Sequence, residues 1–377
     1  MRMHLRLVLC SVILAAACSA PTEDPDDETD ESEIIGSTAA PLVGGTGASC
    51  TGTGAGLNTC GAGTESCCTA LALGTLGTGT KLDKFQVTAG RMRTFMNATN
   101  GNVRGWYASA KKTLRPDAIA QINPYVGYLP TNLNGYPWGA YAQLGSFAYL
   151  PHMPSNFQGC FVGNAANPGY GSHTYPLPAG FESETRALTT NQLASKALNC
   201  VTYPLAAAFC AWDGGRLQTQ AEHDAAWGPA TYPWGMAPIP GGYRTINNVW
   251  TRVSAVTGQP CPTCDTTLVD WSYSYQFPFQ PLNNAEWDYA LYILEPGRLT
   301  RGRGPKGHAD IAGNLMELTA TFDGRRTTTT DFNGNTVMQP NIRWTRNGSW
   351  EGHGIGSAGW SFPIMTKYGK TGIRCAR

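Results

Sequence analysis

The chain has 377 residues, of which only 14% are charged, and carries 45 glycines and 25 prolines. That composition argues against a coiled coil or a bundle of long amphipathic helices and favours a loop-rich globular domain. Its 27 basic and 26 acidic residues leave a formal net charge of +1, and no dense Lys/Arg stripe breaks the sequence, which speaks against nucleic acid as a partner.

Residues 1–6 carry two arginines and a histidine, and the apolar run "LVLCSVILAAAC" follows. The run is shorter than the roughly 20 residues a spanning helix needs. A basic start, a short apolar core and small residues at its end describe a secretory signal over residues 1–17. "LAAAC" resembles the bacterial lipobox, in which the cysteine is lipidated and becomes the first mature residue; that cysteine is Cys18. Ser19 follows it, the pattern that permits transfer of a Gram-negative lipoprotein to the outer membrane. The expectation is an exported cell-envelope protein held to the membrane through its lipid, each buried methylene contributing about 0.8 kcal/mol. The alternative is an ordinary signal peptide cut nearby, with Cys18 idle.

Residues 23–33 hold eight acids and no aliphatic or aromatic side chain. Such a run repels itself and buries nothing, so residues 18–45 read as a disordered tether. Without those acids, Arg2 and Arg6, the remainder has 25 basic and 18 acidic residues. This mild positive excess suits anionic glycans or envelope polymers. Of 12 cysteines, Cys10 leaves with the signal and Cys18 is the anchor; an even number remains, which outside the cytoplasm suggests disulfides. "SCTGTGAGLNTCGAGTESCC", within residues 46–80, reads as a small disulfide knot without a core of its own, elaborating the main domain. "CPTC" at Cys261–Cys264 lacks the helix start of a redox centre and the further ligands of a zinc site, and reads as a local disulfide.

"LDKFQVTAGRMRTFMNAT" begins with strand-like alternation at Phe85 and Val87. It then places Met92, Phe95 and Met96 at helical spacing behind Thr88, a suitable N-cap. Residues 100–195 have weak periodicity and suggest irregular structure and long loops. "NCVTYPLAAAFCAWDGG" predicts a helix with Pro204 in its first turn and a glycine stop. "TQAEHDAAW" predicts a second, with Thr219 and Glu222 forming a capping box and His223 on the helix surface. Beyond residue 230 only short strand-like pieces are expected. His152, His173, His308 and His353 are scattered without metal-ligand spacing; His353 beside Glu351 reads as a surface-loop residue rather than a catalytic one.

Four blocks then occur in order: "NCVTYPLAAAFCAWDGGRLQTQAEHDAAW", "YPWG", "HADIAGNLMELT" and "NGSW…TGIRCAR". Together they resemble the formylglycine-generating enzyme family, the sulfatase-modifying factor domain, over residues 81–377. The resemblance implies a compact, irregular α+β fold related to C-type lectins, with little regular secondary structure. It implies a disulfide between Cys210 and Cys375; Cys160 with Cys200 is a further candidate pair. It also implies a structural calcium ion held by Asp310, the carbonyls of Gly313 and Leu315, and Glu317, with Asn248 and Val249 matching a second calcium site. The alternative for Asp310 and Glu317 is local hydrogen bonding.

The family's reaction oxidises a sulfatase cysteine with oxygen on copper(I) held by two cysteine thiolates, a soft metal on soft ligands. Ser349 and Trp350 keep the frame of that segment, but Gly352 and Ser357 stand where the two cysteines belong. Copper is therefore not expected. "EHDAA" and "MEL" further depart from the family's "EWEYA" and "WEW". Two functions compete: a noncatalytic surface lipoprotein binding a glycan or envelope partner, and an oxidoreductase of the family with different chemistry.

Overall fold

Residues 47–74, 76, 79–134, 139–145, 160, 173–176, 188–230, 233, 241–247, 249–254, 259–263, 293–298, 302–330, 335–345 and 360–377 are described by the structure, a computed structural model. The signal, Cys18 and the acidic tether lie outside them.

The hydrophobic centre is built on two helices. Ala89–Thr99 starts at Thr88, whose hydroxyl accepts the Arg91 backbone N–H, and ends at Asn100 in the left-handed region. Its Met92, Phe95 and Met96 are buried. Tyr203–Trp212 carries Pro204 in its first turn and is buried along nearly its whole length; a helix apolar all round belongs inside. The two meet where the Phe95 ring lies 5.8 Å from Phe209 and 5.1 Å from Trp212. Phe95 and Phe209 are fully buried, each contributing roughly 1.5–3 kcal/mol, and Trp212 is half-buried at the helix end.

Ten strands form three small sheets among the described residues. β1 (Ala70–Ala72), β2 (Lys81–Asp83), β10 (Cys375–Ala376) and β3 (Arg216–Leu217) lie in that order. β4 (Gly241–Ile246) and β5 (Val249–Ser254) make a hairpin. β8 (Ser361–Pro363), β7 (Thr336–Trp344), β6 (Met316–Thr330) and β9 (Thr371–Gly372) make the third. Mixed helices and small sheets are the α+β arrangement expected. Gln220–Trp227 follows with both halves of the Thr219–Glu222 capping box in place.

Three expectations need correcting. Residues 100–195 are not wholly irregular: Val103–Ala110 and Pro116–Ile122 are helices, started by the Asn102 side chain and by Pro116. Each has about two turns, too short to show a stripe beyond one i, i+4 pair, Val103 with Tyr107 and Ala118 with Ile122. β6 is 15 residues long, not a short piece; its Thr-rich half is exposed and so carries no apolar alternation. Residues 85–87 are not a half-buried strand, because Gln86 between Phe85 and Val87 is also fully buried. The Val87 N–H donates to Ile373 O, and Val87 O accepts from Leu198 N–H.

The cystine-rich start belongs to the same unit as the rest, Pro41–Arg377. It is closed by Cys50–Cys68 and Cys60–Cys67. Cys160 bridges Cys200, and Cys210 bridges Cys375 across 165 residues.

Candidate functional site

Two groups of charges, all but one of them fully buried, sit against the central helices. In the first, Arg91 reaches Asp83 at 2.9 Å and Asp213 at 2.6 Å, and Arg377 reaches the same two carboxylates at 2.7 and 2.6 Å. Two cations and two anions thus alternate in a closed ring. The cystine-rich segment is tied into it. The Ser49 N–H donates to Asp213, and Arg91 donates to the Ser49 hydroxyl and the Cys67 carbonyl. Gly47 lies so close that an added Cβ would meet Asp213 Oδ2 at 2.6 Å. Burial by itself would raise the Asp213 carboxyl, but the charges of Arg91 and Arg377 and the Ser49 N–H outweigh it and hold it low.

The second group joins four segments far apart in the sequence at Glu317, near the start of β6. Glu317 is paired with Arg374, which precedes β10; both side chains are inaccessible to solvent. Glu317 Oε1 accepts from Arg374 Nη2 at 2.8 Å and from Gln86 Nε2 at 3.0 Å. Its Oε2 accepts from Gln218 Nε2 and from Arg374 Nε. Arg374 also donates to the carbonyls of Asp83, Lys84 and Ala309. Burial pushes the Glu317 carboxyl up, but the Arg374 guanidinium, through charge and hydrogen bonds, pulls it below the usual carboxylate range. His308 is buried beside this pair. Its pKa falls to about 3, first through burial and then through the charges of Arg374 and Lys306. His173, buried elsewhere and close to Lys367, falls to about 3 for the same two kinds of reason.

These histidines make stability depend on pH. In the unfolded chain each takes a proton at its ordinary value of 6.5; in the folded chain it resists until about 3. Their contribution is complete above pH 6.5 and is lost as pH falls from there toward 3, on the order of a few kcal/mol each. Glu317 and Asp213, both held low, add a further loss below their ordinary range. The urea midpoint is expected to fall steadily from pH 6.5 to 4; a flat midpoint over that window contradicts this account.

The residues singled out in the sequence separate into three groups. Of the four expected calcium ligands, Leu315 and Glu317 are joined through one donor, Gln86 Nε2, at the start of β6, while Asp310 in the preceding loop is tied to a different segment. Asp310 Oδ2 accepts the Gly297 N–H at 2.6 Å, and Leu315 O accepts Gln86 Nε2 at 2.8 Å. Val249 is elsewhere, 63% exposed at the start of β5, with its carbonyl accepting from the Thr251 hydroxyl. Asn248, Ser349, Trp350, Gly352, His353 and Ser357 lie outside the described residues. His223 is a correction: it is wholly buried rather than on the helix surface, with its ring 6.0 Å from Trp227. The helix turns Glu222, His223, Ala226 and Trp227 inward, a face whose first two members are polar and so gave no apolar stripe. Gln86, Gln218 and Arg374 were missed altogether.

Among the described residues, no group of three or more His, Cys, Asp or Glu side chains is arranged to hold a metal ion. Every described cysteine, Cys261 included, is in a disulfide, so none offers a thiolate for copper(I). Cys264 lies outside the described residues. No described helix is long and apolar enough to cross a membrane. Compared with known families, residues 74–377 match the model of the sulfatase-modifying factor enzyme 1-like domain. No curated protein matches the chain.

Proposed function

Since the chain belongs to the sulfatase-modifying factor family, we propose that it keeps the family's frame without its copper chemistry and works as a noncatalytic binding domain on an envelope lipoprotein. The observation that carries this reading is chemical. Gly352 has no side-chain ligand, and Ser357 offers a hard, weakly acidic oxygen where copper(I) asks for a thiolate. The partner we propose is a glycan or an envelope component, met at the surface where lipidated Cys18 holds the protein. Trp360, 44% exposed with its ring 6.0 Å from Phe362, supports this: an exposed indole suits the apolar face of a sugar.

The test is made on protein extracted from membranes. Its N-terminal peptide is expected to begin at an acylated Cys18 by mass spectrometry. The protein is expected to convert no sulfatase-type cysteine peptide to formylglycine above a metal-free control, and to sediment with purified cell-wall sacculi. Gly352→Cys combined with Ser357→Cys is expected to gain copper(I) affinity. Turnover of the peptide by the unaltered protein would move the reading to an oxidoreductase with different chemistry. A mature protein starting elsewhere would remove the anchor.

A further inference from the structure

The geometry points to an ion-free loop: the Asp310–Glu317 segment, which the family resemblance marks as a calcium site, is held by two of the chain's own donors, the Gln86 amide and the Arg374 guanidinium. This holds whether or not the domain is catalytic.

The orientation of Gln86 decides it. A side-chain amide can be turned end for end, and only its partners fix which end faces where. Here the chain of partners starts from a group that cannot turn. The backbone N–H of Leu294 donates to Asn314 Oδ1 at 2.9 Å, so the amino end of Asn314 faces the other way. That amino group donates to Gln86 Oε1 at 2.9 Å. The Gln86 amino group must then face Leu315 O at 2.8 Å and Glu317 Oε1 at 3.0 Å. Those two oxygens belong to the expected calcium ligands. The point on which they converge is occupied by an NH2 group with its hydrogens directed at them, where a cation would be repelled.

The rest of Glu317 is also engaged. An ionised carboxylate has about four lone-pair sites. Gln86, Gln218 and the Nε and Nη2 of Arg374 supply four donor groups to them. Calcium needs about six to eight oxygens free to face it, and two of the four expected ligands, Leu315 O and the Glu317 carboxylate, already accept N–H donors. The residues present therefore do not fit the ion, and a monovalent guanidinium balances the carboxylate instead.

Protein dialysed against a chelator is compared with protein in millimolar calcium, by thermal unfolding and by hydrogen exchange of peptides spanning residues 308–318. The expected result is the same midpoint within about 2 °C and unchanged exchange in those peptides. Calcium bound elsewhere leaves that exchange unchanged and the inference intact. Slowed exchange at 308–318 on adding calcium, with about one retained ion per chain by elemental analysis, overturns it. Gln86→Glu replaces the facing donor with acceptors and is expected to become calcium-dependent, with a higher midpoint in calcium than in chelator. A variant equally stable, or equally unfolded, in both conditions overturns the role assigned to Gln86.

Discussion

Replacing Cys210 and Cys375 together by alanine is expected to lower the unfolding free energy by about 5 kcal/mol, from the loss of a crosslink that closes a loop of 165 residues. The effect is large because both ends are held in the core. Cys210 sits inside the Tyr203–Trp212 helix and Cys375 opens β10, and neither is accessible to solvent. The bridge ties the central helix to the strand that lies between β2 and β3. Urea unfolding of the double variant checks this, and peptide mapping without reductant checks the pairing in the parent. A loss below about 1 kcal/mol would mean that burial alone fixes β10, against the chain-entropy account.

Arg374→Met is expected to cost about 3–5 kcal/mol, because it leaves the Glu317 carboxylate buried with amide donors only. The methionine fills much of the volume but also strands the carbonyls of Asp83, Lys84 and Ala309 that Arg374 now serves. Adding Glu317→Gln should recover part of the loss, since the second charge is then gone as well. A double-mutant cycle on urea midpoints separates the charge pair from the lost carbonyl contacts. If the double variant is as unstable as the sum of the two singles, the pair has no coupling and this explanation fails.

What could be read in the sequence was local. Thr88, Pro204 and the Thr219–Glu222 box announce their helices because a cap acts within one turn, and the structure has each of them in place. The pairing of Cys210 with Cys375 came only with the family resemblance; spacing says nothing about partners 165 residues apart. Gln86 escaped notice because a polar residue between Phe85 and Val87 looks solvent-facing. Its partners Leu315 and Glu317 are 229 and 231 residues away. His223 was misplaced for the same reason: whether a polar helix face is buried is decided by what packs on it. The loop before β6 was recognisable, but its amide orientations are set by the Leu294 backbone, which no side-chain pattern reveals.

The position of β10 also sets an order of events in time. β2 pairs with β1 on one edge, and both can form as soon as residue 83 is made. Its other edge waits for Ala376, and Asp83 waits for Arg377, 294 residues further along. At about 5–20 residues per second, synthesis needs roughly 15–60 s to cover that distance. Through that interval the β2 edge is open to pairing with other chains. A ribosome-bound or half-threaded chain therefore holds most of this domain's sequence while lacking the strand that closes its first sheet, and a holding chaperone has its clearest use there.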